Sequence, residues 1–396
     1  MDYFADDYHT APGPNAMSAI LEDSIMQKGR PVTAGSKTLE NYISPLDATV
    51  VTRIEAAGVS ILGKAVMDEF GTAGLFTDGF EEPSGAVSAV ADGAASFALC
   101  NDYTGSVRQQ AAARGLCYIR PTYGTVSRYG LIHAVSSMDQ IGIVCKTPEE
   151  GFKILAIIAG HDRKDGAMYP PCENEKVAGG NIRIAVPADI ISRAAAQDVS
   201  AVAEFSKHFE TVDIELKYYD VYDKVMQILC CAEISSNLTR YDGIKFGYRA
   251  DGFRGLHGLY TKSRTESLGA DAKLAALAGA MVVSQDNYNK YYDKAMRIRR
   301  LIKQSLEFDR HDAIIMPLPA GTAGASCRSG DTVEPGYAGA AANDAAAGGA
   351  RLALCALPQL CGLPSVTIMY QGGIVTLAAA AKQEDILSAA LQIAAE

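Results

Sequence analysis

The sequence predicts an α/β protein with a mixed sheet, organised as a single domain over residues 1–396. Amphipathic helical segments alternate with short apolar runs rich in β-branched residues, a pattern typical of strands linked by helices. The 396 residues are 48% hydrophobic, which is enough to bury one large core. The pattern of segment 96–115 predicts a strand, a tight turn and a helix in direct succession.

The N-terminal half supplies the first of these elements. We expect residues 1–15, which are acidic and polar, to form a flexible terminus. A helix is predicted over 47–57, with Asp47 as its N-cap, and a strand over 59–64. The next predicted elements are a helix at 86–95, a strand at 96–100, the turn that carries Ser106 and a helix at 107–115.

The C-terminal half is predicted to be mainly helical. Strands are predicted at 182–187 and 211–216, helices at 198–209, 221–238 and 270–308, and closing elements at 365–370, 373–380 and 385–396. Between them, residues 320–349 are rich in glycine and alanine and show little periodicity. We predict a long surface loop or partly mobile segment there.

Composition excludes several classes of function. The formal net charge is −10, and no run of five basic residues occurs, so direct nucleic-acid binding is not expected. Nine cysteines without a CxxC motif indicate reduced, buried thiols, and neither a metal site nor a cofactor is predicted. The acidic N-terminus and the lack of an 18-residue apolar run predict a cytoplasmic protein without membrane association.

The turn DYTGSVRQ, residues 102–109, carries the candidate nucleophile. Small residues before Ser106 allow backbone N–H groups to converge as an oxyanion hole requires, and Tyr103, Thr104 and Gly105 are the candidate donors. At the start of a helix, Ser106 would be exposed and developing negative charge would be stabilised. The same pattern also occurs in a simple helix N-cap, so the turn alone does not identify an enzyme.

Longer motifs around this turn resemble a known family. In chain order they are SKTLENYISPLDATVVTRIEAAGVSILGK, MDEF, GSVRQQAA, RPTYGTVSRYGLIHAVSSMDQIG and AGHD. The chain resembles the amidase signature family over roughly residues 16–318, and more loosely over 357–368. Segments 127–142 and 235–249 are most similar to the branch formed by the A subunits of glutamyl-tRNA(Gln) amidotransferases.

The resemblance implies a Ser-cisSer-Lys hydrolase with a large, mixed, twisted sheet flanked by helices. The family's N-terminal helices are expected to be missing. In such enzymes a lysine deprotonates a bridging serine, which activates the nucleophilic serine, and Ser106 matches that nucleophile. Glutamine is hydrolysed and ammonia passes to a B subunit, while a small C subunit wraps both. B-like and C-like subunits are therefore the expected partners.

The other two catalytic positions do not match the family. Glu22 occupies the position of the lysine and Glu82 that of the bridging serine; Ser84 could replace the latter only through a two-residue slip. A glutamate at position 22 is ionised near pH 7 unless buried, and it would repel a developing alkoxide. Segment 71–80 is shorter than its counterpart in the family, so we expect an altered or closed pocket.

Replacement groups are not evident in the sequence. Lys28, Lys37 and Lys64 are expected to be solvated surface charges. The family's substrate-binding arginine falls near Ala275. Its acidic partner falls near Leu352, with Asp344 as an alternative. The substrate-binding residues therefore stay unassigned.

Three hypotheses follow from these differences. The first is a degenerate homologue without amidase activity. The second is an active amidase or glutaminase subunit that uses Ser106 with a rebuilt base. The third is a non-catalytic scaffold that binds a B-like subunit.

Overall fold

The computed structural model describes residues 3–9, 17–76, 83–170, 181–191, 194–319 and 341–395. The strands among these residues are β1 (Phe4–Asp7), β2 (Ser18–Glu22), β3 (Ser60–Ala65), β4 (Phe97–Asn101), β5 (Cys117–Arg120), β6 (Ile141–Cys145), β7 (Arg183–Val186), β8 (Glu210–Asp213), β9 (Ala313–Pro317), β10 (Ser365–Tyr370) and β11 (Gly373–Ala379). The α-helices are α1 (Thr49–Ala56), α2 (Gly85–Ala91), α3 (Ser106–Ala113), α4 (Pro148–Ile158), α5 (Ala188–Ile191), α6 (Ala196–Ser206), α7 (Tyr222–Leu238), α8 (Gly255–Ser267), α9 (Ala270–Val283), α10 (Tyr292–Gln304), α11 (Ala341–Cys361) and α12 (Glu384–Ala395).

All of these strands belong to one mixed sheet. Their order is β1-β3-β2-β4-β6-β5-β10-β11-β9-β7-β8. The pairs β2 with β3, β2 with β4, β7 with β8 and β7 with β9 are parallel, and the remaining pairs are antiparallel. The predicted fold class, a large mixed sheet flanked by helices, is confirmed.

Helices cover both faces of the sheet because its central strands are apolar on both sides. In β2, neighbouring residues point to opposite faces: Leu21 joins the cluster beneath α1 and α4, whereas Ile20 joins the cluster beneath α2. A third apolar cluster unites α7, α9, α10 and α11. The strand, turn and helix predicted at 96–115 are confirmed as β4, a tight turn and α3.

Several boundaries differ from the sequence predictions. The N-cap of α1 is Ala48, and the carboxylate of Asp47 instead accepts the backbone N–H of Lys28 at 2.8 Å. The helix predicted over 270–308 is interrupted at 284–291, where turns replace helical bonds, and α8 was not predicted.

Two segments expected to lack regular structure contain it. Residues Phe4–Asp7, predicted to belong to a flexible terminus, pair with β3. The last part of the predicted Gly/Ala loop, from Ala341, is helical, because alanine has the highest helix propensity and outweighs the two glycines there. The preceding part of the loop, 320–340, lies outside the described residues.

The interface of α9 with α7 depends on a glycine. A Cβ atom at Gly279 would lie 2.0 Å from the carbonyl oxygen of Cys231 and 2.5 Å from Cβ of Ser235. No side chain fits at this distance, so the two helices pack at backbone contact. Because Ala275 and Val282 on the same face of α9 are buried as well, this contact fixes the position of α9.

We predict that Gly279→Ala lowers the free energy of unfolding by about 2 kcal/mol, because the methyl group must push the helices apart. Gly258→Ala in α8 is the matched control, since its nearest neighbour would be 3.9 Å away. Helix propensity alone should then stabilise the control by up to about 1 kcal/mol. Urea denaturation measures the free energy of unfolding of both variants. Equal stabilisation by the two substitutions would contradict the close contact between Gly279 and α7.

Two further features concern the cysteines and the helices of the described residues. Cysteines within the described ranges are free and buried, as predicted, at positions 100, 117, 145, 230, 231, 355 and 361. A search of the same ranges gives no helix that is both long and apolar enough to cross a bilayer.

Candidate functional site

The turn between β4 and α3 is held by the carboxylate of Asp102. It accepts the backbone N–H groups of Gly105 at 2.8 Å, Val107 at 3.3 Å and Arg108 at 3.2 Å. Gly105 has a φ of +86°, a left-handed conformation that favours glycine. The guanidinium of Arg120 donates to the carbonyl of Asp102 at 3.0 Å. The turn is therefore rigid, and Asp102 was not recognised from the sequence, although Asp is typical at the start of such turns.

The oxyanion-hole donors proposed from the sequence are only partly free. The N–H of Gly105 is committed to Asp102, as the 2.8 Å bond shows. Among the described residues, no acceptor faces the N–H groups of Tyr103 and Thr104. The side chain of Tyr103 is buried, and its hydroxyl donates to the carbonyl of Phe70 at 2.9 Å. The donor set is thus reduced to two backbone groups.

Ser106 is the first residue of α3 and is buried, contrary to the exposure expected from the sequence. Only 7% of the residue is accessible. The hydroxyl of Thr104 donates to Oγ of Ser106 at 3.1 Å. Gly74, in the 3₁₀ turn Ala73–Leu75, lies directly against both: a Cβ atom there would be 2.6 Å from Oγ1 of Thr104 and 3.3 Å from Cβ of Ser106. The backbone of this turn therefore covers the candidate nucleophile.

Three side chains hold the covering segment 73–75 in place. Asp68 accepts the N–H of Ala73 at 2.9 Å. Arg351 donates to the carbonyl of Gly74 at 2.7 Å, and Gln227 donates to the carbonyl of Leu75 at 2.9 Å. The three side chains come from the loop after β3, from α11 and from α7, so the cover is tied to separate parts of the fold. Residues 77–80 of the shortened segment 71–80 lie outside the described residues, so the altered or closed pocket stays a prediction.

Helix α11 closes the other side of the turn. A Cβ atom at Gly105 would lie 2.5 Å from Cβ and 2.6 Å from Sγ of Cys355. Arg108 is fully buried, and its guanidinium donates to the carbonyl of Cys355 and, at 3.2 Å, to Gln359. Gln109 donates to the carbonyl of Pro319 at 2.5 Å. Arg108 and Gln109 therefore attach α3 to neighbouring segments of the core.

Glu22 is buried at the end of β2. Its carboxyl accepts the hydroxyl of Ser24 at 2.5 Å and the N–H of Asn101 at 3.2 Å. Burial raises its pKa from 4.5 to about 8, and the hydrogen bond from Ser24 offsets only part of this rise. Most of the Glu22 side chains are thus protonated at pH 7, whereas the sequence led us to expect an ionised group unless it was buried.

The structure does not describe Glu82, which stands at the position of the family's bridging serine. Ser84, considered as a replacement, precedes α2, and its N–H donates to the side chain of Gln110 at 2.7 Å.

A buried polar network continues from Glu22 beneath the turn. The side chain of Asn101 donates to Asp139 at 2.9 Å, and Asp139 lies 3.2 Å from Nδ1 of His133. Burial acts to raise the pKa of Asp139, but the hydrogen bond and charge of His133 and the bond from Asn101 outweigh it, so the pKa is lowered. The network anchors β4 immediately before the candidate site.

Lys64, in β3, is fully buried, contrary to the surface position expected for it. Burial lowers its pKa from 10.5 to about 8, partly offset by the charge of Asp23. Its place within an apolar strand was the available signal. Lys28 and Lys37 are exposed, as expected. Across the ranges that the structure describes, no group of three or more His, Cys, Asp and Glu side chains could hold a metal ion.

The sequence is similar to a known protein family and to named relatives. The family model described as Amidase matches residues 17–77 and 83–336. The A subunit of glutamyl-tRNA(Gln) amidotransferase from Symbiobacterium thermophilum is 33% identical over 389 residues, which cover 91% of this chain and 77% of the relative. The A subunit of glutamyl-tRNA(Gln) amidotransferase from Lachnoclostridium phytofermentans is 37% identical over 325 residues. These residues cover 75% of this chain and 66% of the relative, so the chain spans about two thirds of that relative's length.

Solved structures give the same result for the fold. The A subunit of glutamyl-tRNA(Gln) amidotransferase from Thermotoga maritima aligns with a TM-score of 0.71 at 24% identity, over 97% of this chain and 85% of that one. A 6-aminohexanoate cyclic dimer hydrolase in complex with substrate aligns with a TM-score of 0.70 at 19% identity, over the same shares. At these identities the likeness concerns the fold alone.

Proposed function

Because this chain belongs to the amidase family and is a homologue of the A subunit of glutamyl-tRNA(Gln) amidotransferase, we propose that it keeps the amidase fold without amide hydrolysis. The observation that carries the proposal is the buried carboxyl group of Glu22, whose pKa burial raises to about 8, in the position where the resemblance requires a lysine base. A carboxyl group with a pKa of about 8 is mostly neutral at pH 7 and cannot act there as the lysine does.

The surroundings of Ser106 support the same conclusion. In a relay, the nucleophilic serine must donate its proton to the bridging hydroxyl. Here the contact of Ser106 is with Thr104, whose hydroxyl donates to Oγ of Ser106 at 3.1 Å and which does not occupy the position of the bridging serine. The covering segment 73–75 also lies against Ser106, which is only 7% accessible, so little of the side chain is open to a substrate carbonyl.

The substrate-binding positions point the same way. Ala275, near which the resemblance places the arginine, is a buried apolar residue on the face of α9 that packs against the core. Leu352, near the position of the acidic partner, is buried in the same cluster. Neither side chain can recognise a carboxylate or an ammonium group.

We expect no adduct when the purified protein is incubated with a fluorophosphonate probe and examined by intact mass, with Ser106→Ala as the control. Ammonia release from glutamine should equal that of the same variant, because loss of a proton relay typically costs several orders of magnitude in rate. Thermal unfolding of the same sample shows that the tested protein is folded. An adduct lost in Ser106→Ala, together with glutamine turnover, would reject the proposal.

A second candidate function is an amidase or glutaminase subunit that works through Ser106. The N–H groups of Tyr103 and Thr104, for which the described part of the chain offers no acceptor, favour this alternative, as does the place of Ser106 at the start of α3. It requires a base other than Glu22, and the experiment above distinguishes the two candidates directly.

A third candidate is a non-catalytic scaffold that binds B-like and C-like subunits. The names of the relatives, which are A subunits of an amidotransferase, favour it. Co-expression with B and C subunits from the same organism should then yield a complex that co-purifies in stoichiometric amounts. Elution of this chain alone would count against the scaffold.

A further inference from the structure

His311 is a buried histidine without hydrogen bonds from its ring. It lies in residues 305–312, which link α10 to β9 and which we call the α10–β9 connection, and only 1% of the residue is accessible. Among the described residues, neither Nδ1 nor Nε2 of the ring has a hydrogen-bond partner. A neutral imidazole carries one donor and one acceptor, so both are unsatisfied here. Buried polar groups are nearly always paired, so this ring requires a specific explanation.

The surroundings of the ring do not accommodate a positive charge. The ring contacts Phe308, with the two ring centres 5.2 Å apart. The charged groups around the ring are Glu307, Arg310 and Asp312 in the α10–β9 connection and Arg183 in β7. Both carboxylates are already engaged, Glu307 by Arg310 and Asp312 by Arg183. A protonated ring would therefore have two cations near it and, among these groups, no free carboxylate.

The α10–β9 connection is weakly supported on the side away from the core. It borders a cavity of about 260 Å³, lined by Asp213, Glu215 and Lys217 on one side and by Ser305, Glu307 and Arg310 on the other. Glu307 has a φ of +46°, in the left-handed region that favours glycine. Residues 307, 309 and 310 are exposed. Segments with strained backbone and little packing open locally at low cost in free energy.

The sheet sets a limit to such an opening. The N–H of Asp312 donates to the carbonyl of Arg183 at 2.9 Å, and its carboxylate accepts the N–H of Arg183 at 2.8 Å. These bonds join the start of β9 to β7. The α10–β9 connection can therefore move without separating the two strands.

We infer that His311 is a proton-operated latch: the neutral ring holds the α10–β9 connection closed, and protonation in mild acid releases the connection and opens the adjoining cavity. The charged ring is then hydrated in the open state, whereas the closed state offers it no acceptor. The latch is independent of Ser106 and of the loss of hydrolysis, so it goes beyond the proposed function.

The direction of the pH dependence follows from the burial of the ring. Burial lowers the pKa of His311 from 6.5, and the charge of Asp312 offsets only part of this shift. In the open state the ring is hydrated and regains an ordinary pKa. The open state therefore binds a proton more readily than the closed state. The equilibrium constant for opening should rise by up to about tenfold between pH 7.5 and pH 5.5.

Hydrogen–deuterium exchange of the full chain, measured by mass spectrometry, tests the latch. After correction for intrinsic exchange rates, amides of 305–312 should exchange about three- to tenfold faster at pH 5.5 than at pH 7.5, and those of α7 should not change. His311→Leu cannot be protonated and should abolish the difference. His311→Gln, which is polar but does not titrate, should do the same. His257→Leu, at an exposed histidine of α8, is the matched control and should keep the difference.

Nuclear magnetic resonance of the unmodified chain gives a second readout. The ring resonance of His311, assigned by its loss in His311→Leu, should titrate with a midpoint below pH 6.5. The inference is overturned by a midpoint at or above 6.5, by exchange in 305–312 that does not change with pH, or by acceleration that persists in both His311 variants. Equal acceleration in α7 would also reject it, because the whole fold would then open in acid.

Discussion

Glu22→Gln should make the protein more stable than the unmodified chain at alkaline pH and about equally stable near pH 4, below the ordinary pKa of a glutamate. The pKa of Glu22 is raised from 4.5 to about 8 by burial, so between these values the folded state holds a proton that the unfolded state releases. The stability of the unmodified chain therefore falls as pH rises through this window. At about 1.4 kcal/mol per pKa unit, the loss reaches about 5 kcal/mol above pH 8.

Glutamine is the matched replacement because its amide oxygen can still accept the bonds from Ser24 and Asn101 without carrying a charge. Urea denaturation at half-unit intervals from pH 4 to pH 9 gives the comparison. Glu210→Gln, at an exposed glutamate on β8, is the control and should follow the unmodified chain. If Glu22→Gln also follows it at every pH, Glu22 is not a buried neutral carboxyl group.

Gly105→Ala should destabilise the fold by about 3 kcal/mol or more. Two costs add at this position. The φ of +86° is a left-handed conformation that costs an alanine about 1 kcal/mol or more relative to glycine. In addition, the new methyl group would overlap the side chain of Cys355, and relief of such overlap typically costs about 1 to 3 kcal/mol.

Gly93→Ala separates these two costs. Gly93 has a φ of +77° but nothing within 4 Å of the position that a Cβ atom would occupy, so it reports the conformational cost alone. The difference between the two variants in urea denaturation measures the contact of the turn with α11. Similar losses at both glycines would show that α11 does not press on the turn.

The sequence predicted the fold well where periodicity was clear. The apolar strands at 59–64, 96–100 and 365–370 were located nearly to the residue, because buried central strands give uninterrupted apolar runs. Helix α8 and the interruption of 270–308 were missed, since both depend on tertiary contacts with weak local signals. Strand β1 was missed because four residues of an edge strand carry little periodicity.

The candidate site was predictable in its location and not in its environment. The position of Ser106 at the start of a helix follows from local sequence. Its burial does not, because the covering residue Gly74 and the neighbouring Cys355 are far away in sequence. The protonation of Glu22 likewise depends on burial by the surrounding strands, which composition cannot reveal. The roles of Ser106, Glu22 and Glu82 stay predictions until they are tested.

The two ends of the sheet have a consequence for solubility. An open edge strand offers unpaired backbone groups to other chains and promotes aggregation, unless it is short or charged. Among the strands of the described residues, the edges are β1, with Asp6 and Asp7, and β8, with Glu210 and Asp213, each only four residues long. Carboxylates at both edges repel those of another copy, so growth of the sheet into fibres is opposed at either end.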